Sequence, residues 1–185
     1  MTPVRRGGFA RLADGVTITW SVADGRRGRR WRTATADPDG TLESVLLLEL
    51  APNGSLSKLE LAGSHGLLSL HPEAGLLHGN VVSADGVRHL RFEWSSAHAL
   101  VLERWPVPMV AVARSAVPTG VGERRALPAV VVTSNLEVAP GSLTLQCLGP
   151  NALAIERADD RRVLEFDDHQ IPVELHGGGW PLEQE

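Results

Sequence analysis

The sequence predicts an all-β protein, an antiparallel meander that forms a barrel or a sandwich with little or no helix. Turn-forming pairs recur through the first half, apolar and polar residues alternate between them, and no stretch has the apolar spacing of an amphipathic helix. Glycine accepts a positive φ angle without steric cost and Asp or Asn tolerates one, so these pairs favour hairpins. The pairs are Asp14-Gly15, Asp24-Gly25, Asp39-Gly40, Asn53-Gly54 and Asp85-Gly86.

The first strands can be followed in order. Residues 16–22 alternate between large apolar and hydroxyl side chains, which is typical of a half-buried strand. Residues 31–36 are rich in β-branched threonine and end at a Pro-containing turn, so they form the next strand. Residues 42–50 contain the run 45–48, which is apolar on both faces and indicates a strand near the middle of the sheet. The shorter alternating segment 55–61 completes a hairpin with it.

Residues 67–105 are interpreted as further consecutive antiparallel strands. After them comes one strand at residues 109–113 and a passage containing Pro, Gly and Arg that runs to residue 128. Short apolar segments of strand length then follow at 130–133, 143–148, 153–156, 163–166 and 171–175.

We interpret residues 1–185 as a single all-β domain. Two pseudo-symmetric halves, 1–115 and 128–185, joined by the Pro/Gly/Arg-containing connection, are an alternative organisation. The pattern strand, turn, strand, His-Gly at residues 67–79 recurs at 163–177. Duplication and chance similarity between two Leu-rich hairpins both explain this pattern.

Composition restricts the class of protein. A chain of 185 residues can bury about 70% of its unfolded surface, so a core forms without covalent support. Cys147 is the only cysteine, which excludes an intramolecular disulfide and favours a reducing compartment. No signal-peptide run or membrane-spanning apolar stretch is present, so we expect a cytoplasmic protein with no membrane span. The formal net charge of −4 gives no support to nucleic-acid binding.

The central hairpin predicts a polar face. A turn at residues 83–86 places Val82 opposite Val87, and the alternation of a strand then divides the side chains between two faces. The apolar face holds Leu77, Gly79, Val81, Leu90, Phe92 and Trp94. The polar face holds His78, Asn80, His89, Arg91 and Glu93, with Arg104 beside them. A further turn at residues 95–98 is expected to bring Ala99, Val101 and Trp105 onto the same apolar face.

Two interpretations of the polar face remain open. In the first, it is a shallow ligand-binding pocket in which histidine exchanges protons and Arg91 holds a carboxylate or phosphate. In the second, it is the solvated outer face of a half-buried sheet, as antiparallel sheets normally have. We take its five residues as ligand-binding candidates and assign no catalytic residue.

The sequence contains no motif for metal binding, cofactor binding or covalent catalysis. Five histidines lie between residues 65 and 98, but no HExxH or comparable signature joins them. No GxSxG, P-loop or GxGxxG pattern is present. Cys147 alternates with leucines, which indicates a buried thiol. We therefore assign no metal ligand and no cofactor.

The early basic run at residues 26–30 precedes Trp31 and Arg32. It could contact anionic head groups or RNA, with Trp31 stacking or lying at the interface. We favour the alternative, a solvated hairpin loop, because the run is short and the chain is acidic overall.

The chain size, the meander, the suspected halves and the Trp31-Arg32 pair together resemble a bacterial family labelled glycolipid-binding. The resemblance implies a cytoplasmic protein of two related half-barrels enclosing an amphipathic ligand, and it adds Trp31 and Arg32 to the binding candidates. The sequence departs from the family pattern at residues 105–109, where the family has an Asn- and Arg-rich strand end.

Three functions follow from these observations. The leading hypothesis is non-enzymatic binding of an apolar or amphipathic, lipid-like molecule, because the chain combines large apolar faces with no catalytic motif. The second is an enzyme that uses His78, His89, Arg91 and Glu93 for acid–base chemistry on an anionic small molecule. The third is a structural or interaction module, such as a homodimer pairing through an exposed strand edge.

Overall fold

The structure, a computed structural model, describes residues 4–12, 14–103, 118, 120–158, 160–176, 180–181 and 183–184. These residues form strands and no helix, which confirms the all-β prediction. The strands are β1 Arg5–Arg11, β2 Thr17–Gly25, β3 Gly28–Ala36, β4 Leu42–Leu50, β5 Leu56–Gly63, β6 Gly66–Glu73, β7 Leu76–Ser83, β8 Gly86–Glu93, β9 Ala99–Leu102, β10 Arg124–Val132, β11 Val138–Gly149, β12 Ala152–Arg157, β13 Asp160–Phe166, β14 Pro172–His176, β15 Trp180–Pro181 and β16 Glu183–Gln184.

The strands form two sheets, one of which curls into a half-barrel. The nine-stranded sheet has the order β16-β1-β2-β3-β4-β5-β6-β7-β8, so β1 to β8 are an uninterrupted antiparallel meander. The seven-stranded sheet has the order β15-β14-β13-β12-β11-β10-β9. β15 and β16 carry the chain from the second sheet back to the first.

The hairpin turns lie where the sequence places them. Gly15, Gly40, Gly54 and Gly86 all have positive φ angles. At the remaining predicted turn the positive φ belongs to Gly28, since Arg26 and Arg27 form the exposed turn between β2 and β3. The basic run therefore begins in this hairpin turn and continues into β3, where Arg29 and Arg30 lie.

One expectation about the central segment is wrong. β9 does not return beside β8; it crosses to the second sheet and lies parallel to β10, with Ala99 beside Ala129 and Val101 beside Val131. β9 is buried on both faces, so its apolar residues suit the interior of either sheet. Trp105 lies outside the described residues.

The change of sheet occurs between residues 93 and 99, inside the first of the two expected halves. The connection expected at residues 116–127, and the strand at 109–113, fall partly or wholly outside the described residues. Both hairpins of the suspected repeat, β6–β7 and β13–β14, are antiparallel.

A single hydrophobic core joins the two sheets. In β4, which lies in the middle of its sheet, Leu46 and Leu48 are fully buried whereas Val45 is 44% exposed, so the strand has one core face and one outer face. Leu153 and Leu164, opposite each other on β12 and β13, contribute from the second sheet. This burial is the main stabilising term of the fold.

Polar contacts also tie the sheets together. Arg29 on β3 donates two hydrogen bonds to the Asp24 carboxylate, at 2.7 and 3.0 Å, and a third to the carbonyl oxygen of His169 in the β13–β14 loop. Arg6 on β1 forms a 2.5 Å ion pair with Asp167 in the same loop. Hydrogen bonding to Arg29 holds the pKa of the Asp24 carboxyl below its ordinary value of 3.8.

Among the described residues, no helix is long and apolar enough to cross a membrane.

Candidate functional site

The polar face predicted on the central hairpin is present. His78 lies opposite Arg91, Asn80 opposite His89, and Leu76 opposite Glu93, which confirms the register expected from the turn. The five candidate side chains therefore share the face of β7 and β8 that points away from the core.

The side chains of this face make few contacts with one another. The His78 ring stacks on His71 of β6, with ring centroids 5.9 Å apart. The Nδ1 atom of His89 lies 2.6 Å from the Oδ1 atom of Asn80. No ion pair between described residues engages Arg91.

The polar face is an outer surface. His89, Arg91 and Glu93 are exposed, and His78 and Asn80 are half-buried. None of them lines the cavity described below. The structure thus brings the five candidates together on one face without enclosing them.

Trp31 and Arg32, the candidates from the family resemblance, lie on opposite faces of β3. Trp31 is fully buried, and its ring centroid is 6.0 Å from that of Trp20. Arg32 is exposed on the outer face, opposite Ser21 and Leu47. The two side chains therefore cannot contact one small ligand together.

A cavity of about 180 Å³ lies against the seven-stranded sheet. Its floor consists of Val101 from β9, Leu143 from β11 and Ile155 from β12, all buried members of the core. Strand alternation places these three side chains on the same face of the sheet. The cavity is partly open to solvent.

Charged residues line the rest of the cavity. Arg157 donates to the Glu103 carboxylate at 2.7 Å, and Arg162 donates to the Asp160 carboxylate at 2.7 Å. The arginine side chains are 40% and 36% exposed, so both guanidinium groups can reach solvent. The site combines an apolar floor with two cations that are partly neutralised by their partners.

This cavity could not be predicted from the sequence. Val101, Leu143 and Ile155 are ordinary strand residues that come from three separate segments. The available signal was the cluster of charges around the β12–β13 turn, where Arg157 pairs with Asp160. That cluster indicates the end of a hairpin, but it does not indicate that the hairpin end borders a cavity.

In the part of the chain that the structure describes, no group of three His, Cys, Asp or Glu side chains could hold a metal ion. Cys147 is buried, and its thiol lies 3.5 Å from the carbonyl oxygen of Gly149.

The chain is similar to a solved DUF1089 family protein from Pseudomonas aeruginosa. The two structures superpose with a TM-score of 0.58 over 91% of this chain and 87% of that one, at 16% sequence identity. The likeness is one of fold. It supports the all-β architecture and transfers no residue role, because one fold can carry unrelated functions. No family model and no curated relative matches this sequence.

Proposed function

We propose that this protein binds an amphipathic, lipid-like small molecule and catalyses no reaction on it. The observation that carries the proposal is the cavity with an apolar floor and two arginines at its rim. Small-molecule sites commonly combine an apolar lining with a few polar groups that orient the ligand.

The dimensions of the cavity restrict the ligand. A volume of about 180 Å³ is below the roughly 300–1,000 Å³ of sites that enclose drug-sized molecules. The apolar end of the ligand would therefore lie against Val101, Leu143 and Ile155, with the remainder outside. Arg157 and Arg162 would hold a polar or anionic head group, in competition with Glu103 and Asp160.

A glycolipid belongs to this ligand class, and the resemblance of the chain as a whole, in size, meander, suspected halves and the Trp31-Arg32 pair, to a glycolipid-binding family supports it as a candidate. Cytoplasmic location and bacterial origin belong to the same proposal. The ligand would not span Trp31 and Arg32, because they lie on opposite faces of β3.

Native mass spectrometry of the purified full chain is the first test. A co-purified mass released by organic solvent would support binding.

Titration with decanoate then examines the cavity directly, using Ile155→Phe to fill the floor and Val163→Phe as its matched control. Val163 is half-buried and lies opposite Ala154, so it faces away from Ile155.

We expect Ile155→Phe to weaken decanoate binding by about tenfold or more and Val163→Phe to leave it unchanged, since one methylene-scale misfit costs about 1–3 kcal/mol. Arg162→Ala should weaken binding of decanoate more than that of decanol, because only decanoate carries a charge. Equal affinities for all the folded variants would contradict the proposed site.

A further inference from the structure

Among the strands that the structure describes, β8 lies at one edge of the nine-stranded sheet, and one row of its backbone groups has no partner there. The amide of Trp94, which follows β8, donates to the Gly75 carbonyl of the neighbouring hairpin turn at 3.0 Å. Because hydrogen-bonding direction alternates along an antiparallel strand, the odd-numbered residues of β8 direct their N–H and C=O groups away from β7. No hydrogen bond between described residues engages those groups.

The edge lacks three features that commonly protect edges in natural sheets, although it carries the exposed charged residues Arg88, Arg91 and Glu93. β8 pairs with β7 over eight residues without a bulge and contains neither proline nor lysine. Val87 is 60% exposed, and His89, Arg91 and Glu93 are exposed beside it. A strand of this kind can accept another strand by continuing the sheet.

We propose that β8 pairs with β8 of a second copy of this chain, antiparallel about a two-fold axis at Phe92. On the outer face, Arg91 then lies opposite the partner's Glu93, and Glu93 opposite the partner's Arg91. On the inner face, Phe92 lies opposite the partner's Phe92, and Leu90 opposite the partner's Trp94. Phe92 and Trp94 are half-buried apolar residues that such pairing would cover further.

The charge pattern selects this register. Residues whose backbone N–H and C=O groups point away from β7 must lie opposite the same kind of residue in the partner. The two-fold axis therefore passes through a residue position and not between two positions. An axis at Arg91 places like charges opposite each other, and an axis at Leu90 places His89 opposite the partner's Arg91. The axis at Phe92 pairs opposite charges on one face and apolar side chains on the other, as cross-strand stability requires.

The same pattern favours a second copy over an unrelated peptide. A strand that carries Arg91 and Glu93 two residues apart on one face is complementary to its own antiparallel image. Closed two-fold pairing uses both ion pairs and satisfies both edges in one interface.

Charge reversal tests the pairing. Sedimentation equilibrium of the full chain should give a dimer with a micromolar or weaker dissociation constant, because the interface is small. Arg91→Glu and Glu93→Arg should each raise that constant by about tenfold, and the double variant should restore it. Arg32→Glu is the matched control, since it makes the same charge change on the outer face of distant β3 and should have no effect.

Cross-linking tests the register. Opposite residues in a non-hydrogen-bonded pair lie about 4.5 Å apart at Cα, within disulfide range. Phe92→Cys should therefore form a covalent dimer on oxidation, whereas Val87→Cys should not; buried Cys147 does not compete. A wild-type chain that stays monomeric, a dimer insensitive to both single charge reversals, or cross-linking at position 87 and not at 92 would overturn the proposal.

Discussion

The Asp24 carboxyl has a lowered pKa and is hydrogen-bonded to Arg29. It accepts two hydrogen bonds from Arg29, and the two side chains are 22% and 16% exposed. Hydrogen bonding to Arg29 lowers the folded-state pKa below the ordinary 3.8, so the charged form stabilises the fold. This contribution is present above the unfolded-state pKa and is lost as the pH falls through the folded-state pKa.

Asp24→Asn should therefore lower the free energy of unfolding by about 1–2 kcal/mol at neutral pH. The difference from wild type should be much smaller at a pH below the lowered folded-state pKa than at neutral pH, because the wild-type carboxyl is then protonated too. Urea denaturation at both pH values measures this. Asp39→Asn, in an exposed turn, is the control. A stability difference that does not change with pH would contradict the role of the charge.

Two buried threonines on β3 predict opposite effects of the same substitution. Thr33 is 2% exposed and its Oγ1 atom has no hydrogen-bond partner among the described residues. Thr35 is 4% exposed, but its Oγ1 atom lies 2.5 Å from the hydroxyl of Ser44.

Thr33→Val should stabilise the protein by about 1 kcal/mol, because it removes a desolvated hydroxyl. Thr35→Val should destabilise it by a similar amount, because the Ser44 hydroxyl loses its partner. Thermal denaturation of both variants provides the comparison. A loss of stability in both would mean that the Thr33 hydroxyl has a favourable interaction.

The β5–β6 hairpin depends on Gly66, whose backbone lies close to β7. Gly66 has a φ angle of +124°, and a Cβ atom there would lie 2.0 Å from the carbonyl oxygen of Val82. Gly86, which begins β8, has a similar φ angle of +117° but open space around the Cβ position.

Gly86→Ala should cost about 1 kcal/mol through backbone strain. Gly66→Ala should cost at least about 2 kcal/mol more, because β7 must move as well. Urea midpoints of the two variants separate strain from steric conflict. Equal losses would show that the close approach to Val82 is relieved without cost.

Strands β7, β8 and β9 show which parts of the fold can be predicted from the sequence. The β7–β8 register follows from the turn at residues 83–86 because hairpin register is a local property. The position of β9 does not, since Ala99–Leu102 is apolar on both faces and its partner β10 is distant in the chain. The polar face could be predicted because it depends only on this local register. The cavity could not, because Val101 and Ile155 meet only after the second sheet forms.

Because one hydrophobic core joins the two sheets, we expect a single unfolding transition. Leu164→Ala, a fully buried truncation in the seven-stranded sheet, should lower stability by about 2–5 kcal/mol. When Trp94, Trp105 and Trp180 are replaced by phenylalanine, the remaining fluorescence comes from Trp20 and Trp31 in the other sheet, and it should follow the same shifted transition as far-UV circular dichroism. Separate midpoints would indicate that the two sheets unfold independently.

The pairing of β16 with β1 affects how the protein is made. Gly8 lies opposite Gln184 and Phe9 opposite Glu183. While the ribosome is still translating, β1 to β8 can pair in turn as each emerges, but the outer edge of β1 stays without this partner until residues 183–184 leave the exit tunnel. A nascent chain would thus carry this part of the β1 edge unpaired from the synthesis of β1 until those residues arrive, and the exposed edge would favour aggregation during that interval.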